Sequence, residues 1–223
     1  MVLVAAYSFD TDYSDASGNG NTITSTGNSA VVSGGQTSNA LGKTGATMPV
    51  LPAGVLSACQ SDDRTIMLDA KGDLFTWWIR FNDSTFGSGM WGILNLNDGG
   101  GMKVQARDNS GSHNLATRPA ATSPGAAWHN YCTTYVRSTG VITLYKDGVS
   151  ASTSSFSAGT QLSTSANSLD IAEWSNTGAA IDNLRFYSHA LNSTEVAAIA
   201  GTPVTSGTPA VPHPLISQYG SFF

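Results

Sequence analysis

Strand patterns dominate the chain. VLVAAYSF, RTIMLDA, LFTWWIRF, WGILNLN, MKVQARD, HNYCTTYV, VITLYKDG, SLDIAEW and AIDNLRFY are short, rich in β-branched or aromatic residues, and bounded by Gly, Asn, Asp or Ser, which is how strands read. Their spacing of roughly 10 to 15 residues predicts an all-β sandwich or jelly roll. In LFTWWIRF, Phe75, Trp77, Ile79 and Phe81 share one face and read as core, while Leu74, Thr76, Trp78 and Arg80 share the other, because side chains alternate along a strand.

Turn chemistry sharpens the pattern. Asp147-Gly148 supplies the positive-φ pair of a type I′ hairpin between VITLYK and VSAST, and Asp98–Gly101 joins ILNLN to MKVQARD. One helix is expected after Asn192, which can cap it, with Glu195 completing a capping box before VAAIA. Gly201 and Pro203 end it. A helix of about two turns is not stable alone, so it must pack its Val196 and Ile199 side on the sandwich. Beyond Ala200 the texture changes to GTPVTSGTPAVPHPLISQYGSFF, with four prolines and an aromatic end, an extended arm by composition. The expected organisation is one domain over residues 1–200 and an arm over residues 201–223.

Charge narrows the function classes. Charged residues are 11% of the 223, against roughly a quarter in an ordinary domain. The net charge is -5 and no Lys/Arg run occurs, so nucleic acid and anionic membranes are not expected partners. No apolar stretch approaches the roughly 20 residues of a membrane helix. The start, MVLVAAYSF, lacks the basic segment and cleavage site of a signal peptide. That implies either synthesis in a cytoplasm without export or prior removal of a signal. The two cysteines, Cys59 and Cys132, are too few to imply a bridge, and Cys132 reads as a small buried hydrophobe in a strand.

Catalysis is not expected. Glycoside hydrolysis needs paired carboxylates on one face, about 5 Å apart in retaining enzymes. The chain has two glutamates, Glu173 and Glu195. Glu195 is used as a helix cap, and Asp170 and Glu173 fall on opposite faces of a strand. His113, His129, His189 and His213 lie in separate segments without metal-ligand spacing. The opening YSFDTDYSDASGNGNTIT offers carboxylates, amides and carbonyls, as a hard cation requires. Asp12, Asp15, Asn19 and Asn21 are equally the residues of Asx turns, with glycines at positive φ; both readings stand here.

Several blocks in order resemble the laminin-G-like family of concanavalin-A-type jelly rolls. They are LVAAYSFDTDYSDASGNGN, LFTWWIRF, WHNYCTTYV with VITLYKDGV, and IDNLRFYSHALNSTEVAAIA. The resemblance covers roughly residues 3 to 200 and implies two antiparallel sheets with a short terminal helix. It also implies a structural Ca²⁺ where the first and last strands meet, with Asp10 and Asp182 as carboxylates and carbonyls from the SGNGN turn. Asn183 stands where the family often carries a second acid. A glycan site would draw on Trp78, Tyr131 and Trp174 as aromatic platforms, with Arg80 or Asn serving hydroxyls.

Two functions follow. The first is non-enzymatic assembly, as a virion surface component such as a capsid decoration or tail-associated protein made in the host cytoplasm. It would form homo-oligomeric or lattice contacts with other virion proteins through Pro212, Leu215, Tyr219, Phe222 and Phe223 of the arm. The alternative is an extracellular carbohydrate-binding module or lectin, calcium-dependent or not.

Overall fold

The computed structural model describes residues 2–43, 49–59, 63–72, 76–82, 92–96, 101–108, 113–117, 126–162, 168–174 and 180–205. In chain order the elements are β1 (Leu3–Tyr7), β2 (Ser29–Ser33), β3 (Asn39–Lys43), α1 (Ala53–Cys59), β4 (Arg64–Lys71), β5 (Thr76–Asn82), β6 (Gly92–Leu96), β7 (Gly101–Arg107) and β8 (His113–Thr117). They continue with β9 (His129–Val136), β10 (Val141–Lys146), β11 (Val149–Ser155), β12 (Ser168–Trp174), β13 (Ala180–Tyr187) and α2 (Ser193–Ile199). All strand pairs are antiparallel and make two sheets. The larger, of eight strands, runs β11-β10-β9-β4-β13-β3-β2, with β1 also on β13; the smaller, of five, runs β12-β5-β6-β7-β8. This is the expected all-β architecture of two antiparallel sheets with one short C-terminal helix. The strands not foreseen, β2, β3 and β8, are short and poor in aromatics, and α1 (AGVLSAC) carries no acidic residue in its first turn to announce it.

The larger sheet is covered on both faces. Ile66, Leu68 and Ala70 of β4, Tyr131 and Tyr135 of β9, and Leu184 and Phe186 of β13 form the inner core with Ile79, Val104 and Ala106 of the smaller sheet. Met67, Cys132, Tyr145 and Tyr187 project from the opposite face into a second core with Val196 and Ile199 of α2 and Val204 beyond it. Hence β13 is buried at all eight positions, where a half-exposed strand would alternate.

The outer layer is held by specific bonds. Thr65 Oγ1 donates to His189 O at 2.8 Å and accepts from Leu191 N at 2.9 Å, fixing the crossing from β13 to α2. Asn192 caps α2 by accepting from the backbone amides of Thr194 and Glu195, and Asn192 N donates in return to Glu195 Oε2 at 2.8 Å, the expected capping box. Gly201 takes a φ of 75° and ends the helix. Thr202 and Val204, counted with the arm by composition, are docked on the sheet: Val204 is buried and its N–H donates to Asn183 Oδ1 at 2.7 Å. Residues 206–223 lie outside the described residues.

The opening loop serves as cover for an edge. Asp15 accepts from Ala6 N, Ser17 N and Asn21 N at 2.9–3.0 Å. Asn19 and Asn21 donate their side-chain amides to the carbonyls of Leu3 and Val4. Among the described strands β1 pairs with β13 alone, so these side chains satisfy an edge of β1 that would otherwise invite another strand. Asp12 accepts from Ser14 N at 2.8 Å, an Asx turn.

Candidate functional site

Two local features of backbone build a polar cluster on the outer face of the larger sheet. In β4, alternation sends Leu68 and Ala70 inward and Asp69 outward. In β13 the register against β4 shifts between Asp182 and Arg185, and Asn183 takes a φ of 49°. This bulge lets Ile181 and Leu184 both face the inner core although three residues apart, and it aims Asn183 toward Asp69.

Asp69 is buried. Its Oδ1 accepts from Asn130 Nδ2 at 2.7 Å and its Oδ2 from Asn183 Nδ2 at 2.8 Å. Burial raises the Asp69 pKa, while those two amides and the charge of Arg185 lower it. Arg185, 1% exposed, donates to Asn183 O at 3.2 Å and to Thr202 O at 2.6 Å. Desolvation pulls its pKa down. Asn130 N donates to Asp147 Oδ1 at 2.9 Å, and Asp147 N returns a bond to Asn130 O at 2.8 Å. His129 Nδ1 lies 2.8 Å from Asp147 Oδ2. Asp147 and Gly148 have φ of 51° and 79°, as the predicted I′ turn requires.

A cavity of about 130 Å³ opens between these groups, lined by Gln36, Asp69, Trp128, Asn130, Asp147, Ala200 and Gly201. Trp128 is half-buried. Its Nε1 donates to Gly34 O at 3.3 Å, the carbonyl that also accepts Lys71 Nζ at 2.6 Å. Lys71 Nζ lies 4.8 Å from the Trp128 ring centroid, a cation–π contact. Asn130 is 4% exposed, and its Oδ1 finds no donor among the described residues. Two carboxylates, an aromatic ring and an amide with an unsatisfied buried oxygen in one lining are what a polar ligand completes.

The anticipated residues fall in different places. Asp182 is buried beside this cluster; its Oδ2 accepts from Gln36 N at 2.9 Å and its Oδ1 from Asn183 N at 2.7 Å. Burial foremost, then the charges of Asp10 and Asp69, push its pKa up to about 7, against the two backbone bonds. Asp10 accepts from Asn39, through its carboxylate from N at 3.4 Å and through its carbonyl from Nδ2 at 2.6 Å. The two acids are thus brought into one electrostatic neighbourhood. The SGNGN turn, however, lies along Leu3 and Val4 at the start of β1; the groups beside Asp10 and Asp182 come from Gln36 and Asn39. Among the described residues no three His, Cys, Asp or Glu side chains stand at metal-binding spacing.

Tyr131 corrects an expectation. It is 1% exposed in the inner core, so it is no platform for a sugar; β9 alternation turns it away from the face that carries Asn130. Trp78 and Trp174 sit on paired strands β5 and β12, and their side chains lie outside the described residues, as do Pro212, Leu215, Tyr219, Phe222 and Phe223. Cys132 is buried and unpaired; Cys59 falls at the end of α1. The sequence alone does not mark Asp69, Trp128, Asn130 and Asp147 as ligand residues. A carboxylate inside the apolar run of RTIMLDA was the signal for Asp69, and Trp128 was visible only as part of a Trp-His strand.

A laminin-G profile, described as the concanavalin A-like lectin/glucanases superfamily, matches residues 57–197. The chain belongs to that superfamily. Among solved structures, this concanavalin A-like chain is similar to domain 4 of AbnA, an extracellular arabinanase of family GH43 from Geobacillus stearothermophilus solved in complex with arabinotriose. That match has 22% identity and a TM-score of 0.65, over 89% of this chain and 98% of the other. It is also similar to the binding domain of Paraclostridial Mosquitocidal Protein 1, with 17% identity and a TM-score of 0.66 over 88% of this chain and 51% of that one. The receptor binding domain of botulinum neurotoxin C/D mosaic serotype follows at 12% identity and a TM-score of 0.60, over 89% and 50%. The concanavalin A-like domain thus spans about half the length of each toxin binding domain. No curated protein sequence matches the chain.

Proposed function

We propose that the chain is a non-catalytic carbohydrate-recognition domain whose ligand enters the cavity between Trp128, Asp69, Asn130 and Asp147. The observation that carries this is that Asn130, whose buried Oδ1 has no donor among the described residues, lines a cavity together with Trp128 and two carboxylates. Sugars bring both things such a site lacks, hydroxyl donors and a ring with a C–H face. The arabinotriose held by the AbnA domain supports the same class of ligand on a related fold. A glycan array followed by titration calorimetry tests it. One oligosaccharide class should bind, and Trp128→Ala should weaken that binding by about tenfold or more, the usual cost of truncating a tryptophan anchor. Absence of binding across neutral, acidic and amino-bearing glycans would remove the reading.

A structural Ca²⁺ held by Asp10 and Asp182 belongs to this reading. What supports it is the buried Asp182 carboxyl with the charges of Asp10 and Asp69 acting against its ionisation, which a divalent cation would offset.

Virion assembly through the C-terminal arm is the second reading. It is favoured by the anchoring of Thr202 and Val204 to Arg185 and Asn183, which fixes the start of the Pro-rich segment on the domain. Deleting residues 206–223 should leave the melting temperature of the domain within about 2 °C, since the docked residues stay, while abolishing any oligomer seen by sedimentation. An oligomer that survives the deletion argues against the arm.

A further inference from the structure

We propose that the cavity receives the ammonium group of an amino sugar, so that the preferred ligand is a deacetylated, glucosamine-type oligosaccharide. This rests on the carbohydrate reading and adds the charge of the ligand to it.

The cavity side chains with buried or charged oxygen are all acceptors. Asp69 is buried, Asp147 is half-exposed, and Asn130 is hydrogen-bonded to both. The Asn130 amide directs its donors to Asp69 Oδ1 at 2.7 Å and, at the long limit of 3.5 Å, to Leu68 O. Its Oδ1 is left buried with no donor among the described residues. Gln36 at the rim adds an amide of both kinds.

The neighbouring cations Lys71 and Arg185 already have partners of their own. Lys71 Nζ donates to Gly34 O and sits against Trp128. Arg185 is directed at Asn183 O and Thr202. Among the described residues that line the cavity, Asp69 and Asp147 are acidic and none is a lysine or arginine.

An ammonium carries three donors and no acceptor. It can serve Asn130 Oδ1 and the two carboxylates without burying a lone pair of its own, and bonds to charged acceptors are the stronger kind. A neutral hydroxyl brings one donor and lone pairs for which Asp69, Asn130 and Asp147 have no donor. N-acetylation removes the charge and replaces it with an amide that again needs a donor. A uronic or sialic acid brings like charge to the carboxylates. Trp128, which also lines the cavity, offers the attached ring an aromatic surface.

The test is titration calorimetry of the full chain with fully deacetylated chitotetraose, its N-acetylated counterpart and cellotetraose, at a pH where the amine is charged. The deacetylated ligand should bind at least about tenfold more tightly than either neutral one, with the advantage shrinking as salt is added. Asp147→Asn should erase most of the advantage. That variant is expected to fold, because Asn suits the positive φ of Asp147 in a I′ turn. Asp12→Asn, in the exposed opening loop, removes the same charge away from the cavity and should leave the preference intact. Equal affinity for the three ligands, a preference unaffected by Asp147→Asn, or equal losses in the two variants would overturn the ammonium site while sparing carbohydrate recognition. Failure of all three ligands together with the wider glycan panel would remove carbohydrate recognition itself.

Discussion

Arg185→Met should lower the free energy of unfolding by roughly 3–5 kcal/mol, the scale for removing one member of a buried charged network. The guanidinium is buried and has three bonded oxygens, Asn183 O, Thr202 O and Thr202 Oγ1. Its charge also favours the ionised forms of Asp69 and Asp182. Methionine keeps much of the volume and removes both services. The bulged Asn183 carbonyl and the strap at Thr202 lose their donor, and Asp69 loses its compensating charge. Urea unfolding at neutral pH measures the effect. A second variant, Arg185→Met with Asp69→Asn, should recover part of the loss because one of the two carboxylates that Arg185 compensates is then neutral. A loss under about 1 kcal/mol, the range of an exposed ion pair, would mean that the network does not hold the outer layer.

The second large effect is a decline of stability with rising pH. Asp182 ionises near 3.8 in the unfolded chain and at about 7 in the native one. Between those values the native state holds a proton that the unfolded chain has released, so raising the pH favours unfolding. Above about pH 7 both states are ionised and the loss is complete, on the order of 4 kcal/mol. The raised pKa of Asp69 acts in the same direction. In chelator, the urea midpoint should therefore fall from pH 4 to pH 8, within the window of roughly 3.8 to 7 set by Asp182. Asp182→Asn should flatten the profile, whatever its absolute stability. Saturating Ca²⁺ should raise the midpoint more at pH 8 than at pH 5, because a cation binds the ionised carboxylates and stabilises the folded state by mass action. A flat profile in chelator would sink the role given to Asp182, and identical profiles with and without calcium would sink the metal.

The elements that could be read from sequence are those whose signals are local. Alternation in RTIMLDA and HNYCTTYV, the Asp147-Gly148 turn and the Asn192–Glu195 capping box each depend on neighbours a few residues apart, and each formed. Tyr131 was misplaced for an equally physical reason. Alternation separates two faces of β9 but does not label them, and only the pairing of β9 between β4 and β10 decides which face meets the second sheet. The same ambiguity hid Asn130, the immediate neighbour of Tyr131 on the other face. Asp10 and Asp182 were drawn together by family resemblance, and the fold does bring their charges together, yet their hydrogen-bond partners come from Gln36 and Asn39 and not from the SGNGN turn.

By itself the sequence determined an all-β chain of antiparallel hairpins with a short capped helix at its end, because period, turn residues and caps act over a few positions. Only the tertiary structure decided where a ligand can enter. Asp69 meets Asn130 and Asn183 across 61 and 114 residues of chain, and a one-residue bulge in β13 aims that last side chain. The cavity then exists because the end of α2 and Gly201 close over the outer face. Such a site is written in contacts between distant segments, and the carboxylate inside RTIMLDA is its one local sign.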